Sequence, residues 1–178
     1  MRHLGRLGAV AVLGIVLLTS GCVKLSELQF KQDHRLEFTS PDDYEFVKPP
    51  VEIEWTMKDF EVLPANSGEP PSDDAGYFAV FVDQAPIKPG RTLEDVAGRD
   101  EACKMAPRCP DKRYLAAKAV YVTHQPRLTL ELIPQLTSKE KIQTHQLTVI
   151  LLDSTGHRIG EYAWHLYFKA EKLTSATS

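Results

Sequence analysis

The residues of this 178-residue chain best suited to chemistry are its six histidines and three cysteines. His124, His145 and His165, with Met105, have the donor types of a copper or zinc site. Such a site needs its donors on one face. The strand pairing argued below puts His145 and His165 on opposite faces, so the two share no ion. The Asp42-Asp43 and Asp73-Asp74 pairs could donate to calcium, but neither stands in a loop with the spacing that such ligation needs. Turn formation is the simpler role for both, and for Asp83. No G-x-S-x-G, H-E-x-x-H, P-loop or dinucleotide fingerprint occurs. The expectation is a protein with no enzymatic activity, no cofactor and no metal.

The element that must position these residues is the stretch from His145 to Phe168, HQLTVILLDSTGHRIGEYAWHLYF. It predicts two β-strands joined by a turn at Asp153–Gly156, the last hairpin of an antiparallel sandwich. A two-residue turn at Ser154-Thr155 would pair Leu147 with Tyr162 and Val149 with Gly160. Leu147, Val149 and Leu151 then share a buried face with Tyr162, Trp164, Leu166 and Phe168. Gln146, Thr148, Glu161 and His165 take the other face. A one-residue shift would wet Trp164 or Leu151, at about 1.5–3 kcal/mol each.

Other segments fit the same plan. In VEIEWTM, Val51, Ile53, Trp55 and Met57 alternate with Glu52, Glu54, Thr56 and Lys58, the pattern of a half-buried strand with Trp55 inside. Tyr77–Asp83 (YFAVFVD) is nearly all apolar and reads as a central strand. Leu36–Thr39, Ala119–Thr123 and Leu128–Ile133 read as further strands, the last with Leu128, Leu130 and Leu132 inward. Pro64–Gly76 and Pro134–Thr144 are loops by composition, and residues 171–178 a polar tail.

Residues 1–21 read as a targeting segment. Arg2 and Arg6 precede a short apolar run, Leu7–Leu18, too short to span a bilayer as a retained helix. Leu18-Thr19-Ser20-Gly21-Cys22 resembles the lipobox of bacterial lipoproteins, with Thr19 where that family most often has Leu. The resemblance implies cleavage before Cys22, acylation of its sulfur and amino group, and a tether over 22–35. It implies a membrane anchor in the cell envelope; Val23, in place of Asp, points to the outer membrane of a two-membrane cell. The 157 residues left would carry 19 bases against 24 acids, a balance of −5 where the whole chain has −3. So acidic a domain has no reason to seek nucleic acid or anionic lipid through net charge. In an exported protein, Cys103 and Cys109 most simply form a disulfide, worth about 2 kcal/mol for so short a loop. The spacing is neither that of thiol oxidoreductases nor that of haem attachment.

Residues 84–118 break the rhythm of short sandwich loops and need structure of their own. Thr92-Leu93-Glu94-Asp95 looks like a capping box opening a short helix to about Ala97, and Asp111 is placed to cap a helical turn reaching Ala117. Lys104, Arg108, Lys112, Arg113 and Lys118 give the segment a basic side, with Glu94, Asp95, Asp100 and Glu101 on its earlier part. One reading is a solvated, stapled connection. The other is a partner-contacting loop in which Arg108, Lys112 and Arg113 meet an envelope protein.

The entry FTSPDDYEFVKPPVEIEW, the strand and turn YFAVFVDQAP, and LTLELIP followed by HQLTVILLDSTGHRIG resemble bacterial Ig-like or fibronectin type III-like modules over residues 36–170. The resemblance implies an all-β, Ig-like antiparallel β-sandwich of about seven strands, carrying residues 84–118 as a short helical, disulfide-stapled insertion. It leaves open the pairing of Ala119–Thr123. Fold alone assigns no function. The expectation is a lipid-anchored binding or structural module making protein–protein contacts. The alternatives are a glycan or cell-wall binder using exposed aromatics such as Tyr77, Tyr114 or Tyr167, and a metal-binding protein.

Overall fold

The computed structural model describes residues 33–65, 67–137 and 140–172. Cys22 and nearly all of the expected tether lie outside them. The described residues form an all-β sandwich of two sheets with short helices on one side. The small sheet has the order β1 (Leu36–Ser40), β3 (Val51–Met57), β7 (Arg127–Leu130). The large sheet runs β2 (Glu45–Val47), β9 (Arg158–Glu171), β8 (Ile142–Leu152), β5 (Ala75–Val82), β4 (Glu61–Val62). Strand β6 (Val120–Thr123) pairs antiparallel with β5, Phe81 opposite Val120, which settles the pairing that the sequence left open.

The described residues thus hold nine strands where about seven were expected. The two additions are the short pieces β2 and β4, which pair in parallel with β9 and β5. All other pairings are antiparallel. The first strand is divided between the sheets: β1 pairs with β3, and β2 crosses to β9.

The alternation of β3 does what its pattern requires. Val51, Ile53 and Trp55 are buried, and the Trp55 ring meets Phe78 edge-on, centroids 5.3 Å apart. Phe78, Val80 and Val82 of β5 join Leu147, Val149, Leu151, Trp164, Leu166 and Phe168 in the core between the sheets. Strand β5 is buried on both faces, as an almost unbroken apolar run demands. Its other face, Tyr77, Ala79 and Phe81, packs with Ile150 and Leu152 under Ile87, Leu93, Val96 and Leu115 of the insertion.

The final hairpin keeps the expected faces but not the expected register. Leu147 pairs with Leu166 and Val149 with Trp164, four residues further along β9 than a two-residue turn would give. The loop spans five residues, closed by Leu152 and Arg158, and the register shifts again beyond Val149. The loop supplies one residue of the offset and the shift beyond Val149 the other three, and their even sum keeps Leu147 and Val149 on the inward face that burial fixes. The Asp153 carboxylate holds the longer loop by accepting from the backbone N–H groups of Thr155 and His157, both at 2.9 Å. A second correction concerns Leu132, which is 69% exposed. Strand β7 ends at Leu130, and Ile133 enters the core in its stead.

Gly76 lies where β5 meets β4 and β8. A Cβ on it would come within 1.9 Å of the Leu152 carbonyl oxygen. Gly76→Ala is expected to destabilise the fold by at least about 2–3 kcal/mol, because backbone, not a movable side chain, blocks the space. A urea midpoint unchanged from the parent would show that β5 and β8 separate there at little cost.

Candidate functional site

The insertion is built from three short helical pieces. A 3-10 turn, Leu93–Ala97, begins where expected, and the Asp95 carboxylate accepts from the Thr92 backbone N–H at 3.2 Å. Helix α1 (Glu101–Met105) contains Cys103 and was not legible in the sequence. Helix α2 (Lys112–Ala117) starts after Asp111, whose carboxylate accepts from the Tyr114 N–H at 2.8 Å. Cys103 and Cys109 are joined as a disulfide. Asp100 caps α1 through the Cys103 N–H at 3.1 Å, and its second oxygen accepts from the Tyr114 hydroxyl at 2.9 Å. One carboxylate therefore ties α1 to α2.

This stapled unit holds Arg108, Lys112 and Arg113 in solvent, none of them in an ion pair among the described residues. Arg108 takes the left-handed backbone region, φ 67°. Met105, 85% exposed, stands on the same loop. The loop thus offers three free cations and one apolar side chain on a rigid base.

Arg158 fixes the insertion to the sheet. Its side chain is 8% exposed and donates to the carbonyl oxygens of Ile87 (2.5 Å), Glu161 (2.7 Å) and Tyr162 (3.1 Å), while its backbone N–H reaches Arg91 O at 2.8 Å. Its Nε has no partner, and burial pushes its pKa below the ordinary arginine value. Backbone dipoles solvate the buried cation, and the Glu161 charge acts on it without forming an ion pair.

The histidines separate as the hairpin parity required. His145 points inward, 1% exposed, stacked on Phe168 and 2.7 Å from the Asp83 carboxylate through Nδ1. Asp83 is a turn residue at φ 53°, as expected, and it also accepts from the Gln146 N–H at 2.9 Å. The sequence did not disclose this pair, whose members lie 62 residues apart. The hydrogen bond between His145 Nδ1 and Asp83 ties β8 to the turn after β5. His165 lies on the opposite face, its Nδ1 2.9 Å from the Gln146 amide and 3.0 Å from the Thr148 hydroxyl. His124 meets the edge of Tyr77. The described residues contain no group of three or more His, Cys, Asp or Glu placed to hold a metal.

Of the aromatics proposed for glycan stacking, Tyr77 is buried and Tyr114 and Tyr167 are partly exposed. Tyr77 is buried beneath the insertion, because β5 is covered on both faces. Tyr114 is half-buried against Asp100. Tyr167 stacks on Tyr44 at 5.3 Å, and the Lys169 ammonium lies over the Tyr44 ring. No helix among the described residues is long and apolar enough to cross a membrane. Comparison with protein-family models, with curated proteins and with solved structures finds no match.

Burial, and then the Arg158 charge, hold the His165 pKa below its ordinary value of 6.5. The folded state thus favours the neutral ring. Stability from this group is complete above about pH 6.5 and declines as the pH drops toward the folded-state value, where the unfolded chain binds the extra proton. His165→Gln is expected to lose less stability than the parent between pH 7.5 and 5 in urea titrations. Parallel losses in both proteins would remove His165 as the cause.

Proposed function

We propose that this chain is a non-catalytic, lipid-anchored module of the bacterial cell envelope, held by Cys22 and contacting an envelope protein through its insertion. The anchor rests on the lipobox-like Leu18–Cys22. The Ig-like reading is supported by a first strand divided between two sheets, its second half running parallel to the last strand. The observation that carries the contact surface is the disulfide-stapled insertion. It presents Arg108, Lys112, Arg113 and Met105 to solvent, with no ion pair to the three cations among the described residues. Enzymatic function has less support, since the His145–Asp83 pair is buried between the sheets, His145 1% exposed. Glycan binding loses Tyr77 as a platform.

Surface recognition by such a loop draws on rigidity. The staple, the Asp100 bridge and the Arg158 clamp fix the loop beforehand, so little ordering entropy is lost on binding. Arginine adds planar, bidentate donors suited to carboxylates on a partner.

Two experiments test the proposal. Cys22→Ala is expected to move the chain from the membrane fraction to the soluble fraction and to abolish incorporation of labelled palmitate; retention of both would remove the anchor. Residues 23–178, immobilised, are expected to capture one envelope protein from detergent extract. Capture should weaken at least about tenfold with Arg108→Ala/Lys112→Ala/Arg113→Ala and fall with rising salt. Equal capture by parent and variant would remove the insertion as the contact surface.

A further inference from the structure

Tyr77 lies near the start of β5 beneath the insertion, 4% exposed, and its hydroxyl makes no hydrogen bond among the described residues. Native folds seldom leave a buried hydroxyl unanswered, because its lost hydration is then uncompensated. Burial, and then the Asp153 charge, raise the Tyr77 pKa above its ordinary value of 10, so the phenol keeps its proton and is ready to donate. Asp153 does not serve as its acceptor: Oδ1 of that carboxylate accepts from the Thr155 N–H and hydroxyl and from the His157 N–H instead.

The hydroxyl lies at the floor of a small open cleft, about 190 Å³, between the insertion and the hairpin loop. Gly156 lines the cleft beside it, and a Cβ at that position would stand 3.3 Å from the phenol oxygen. Bare backbone there leaves the hydroxyl approachable. The two sides are fixed: the Leu93 N–H donates to the Gly156 carbonyl at 2.9 Å, and the disulfide holds Cys109. Leu93, Cys109 and Pro110 are only half-buried, so they present apolar surface to an occupant. Glu94 and Arg108 complete the rim, both exposed, and neither forms an ion pair with the other or with any other described residue. Such a volume is below the roughly 300–1,000 Å³ of drug-sized ligand sites, which limits the occupant to a few heavy atoms.

Three polar groups therefore converge, a donor at the floor with a cation and an anion on the rim. We infer that this cleft binds a small free α-amino acid as its zwitterion, with the carboxylate on Tyr77 and Arg108 and the ammonium on Glu94. A carboxylate alone would face Glu94. An amine alone would face Arg108 and leave the phenol without an acceptor. A zwitterion answers all three groups, and it is the neutral-pH form of an α-amino acid with an uncharged side chain. The apolar wall of Leu93 and Pro110 favours a short aliphatic side chain over a polar one. Arg108 also belongs to the proposed protein contact, but the inference does not rest on that contact, since the purified chain alone tests it.

The test is NMR of residues 23–178, which hold both sheets and the insertion, titrated with L-alanine, propionate and ethylamine. L-alanine is expected to shift the Leu93 methyls and the Gly156 amide and to saturate below about 10 mM. Propionate, which lacks the ammonium, and ethylamine, which lacks the carboxylate, are expected to bind at least about tenfold more weakly. Tyr77→Phe removes only the unpartnered hydroxyl. It should weaken alanine at least about fivefold while its urea midpoint stays at or above that of the parent. Glu94→Gln should weaken alanine and strengthen propionate, an inversion that loss of structure would not produce. Propionate or ethylamine binding equal to alanine would overturn the inference. So would undiminished binding by Tyr77→Phe, or no shifts at about 50 mM alanine.

Discussion

The structure depends on a sheet whose central strands have two apolar faces. Strands β5 and β8 cannot stand with either face in water. The small sheet covers one side, through Val51, Ile53 and Trp55. It cannot cover the other, where Tyr77, Ala79, Phe81, Ile150 and Leu152 lie. Burying a large apolar side chain is worth about 1.5–3 kcal/mol, so this second face demands a lid. The insertion is that lid: its short helices supply Leu93, Val96 and Leu115, and the segment before them supplies Ile87. An open cleft lined by Lys88, Arg91, Asp95 and Lys118 lies at its margin.

Three polar side chains inside the molecule, Gln143, Asp83 and Arg158, share a logic. Each answers a backbone group that the strands leave unpaired. Gln143 bonds both the N–H and the carbonyl of Leu136, standing in for a strand neighbour. Asp83 takes the Gln146 N–H while holding His145. Arg158 gathers the carbonyls of Glu161 and Tyr162, where β9 departs from regular pairing, and reaches on to Ile87. A buried polar group without such partners costs about 1–3 kcal/mol, so each of these contacts favours one register over its competitors.

What the sequence disclosed follows from the range of the forces involved. The alternation of VEIEWTM and the unbroken run of YFAVFVD are local signals, and both strands were legible with their burial. The capping residues Thr92 and Asp111 act within one turn and were legible too. Hairpin parity was readable because burial decides it; the four-residue offset was not, because it rests on a loop held by Asp153 and on the long-range clamp of Arg158. Helix α1 has five residues, too few for propensity to announce, and stands by its Asp100 cap and the disulfide.

The central position of β5 and β8 also governs what happens once the chain comes apart. Tyr77–Val82 and Leu147–Leu152 are six-residue stretches with no charge, proline or glycine, the composition that stacks into dry cross-β fibrils. In the folded molecule each has neighbours on both sides, and the sheet ends in strands of two to four residues that offer little template to another molecule. Opening the sheet would give up that protection for both stretches together. Precipitation then competes with refolding, so the useful life of this protein is set by how slowly it opens as much as by how stable it is at equilibrium.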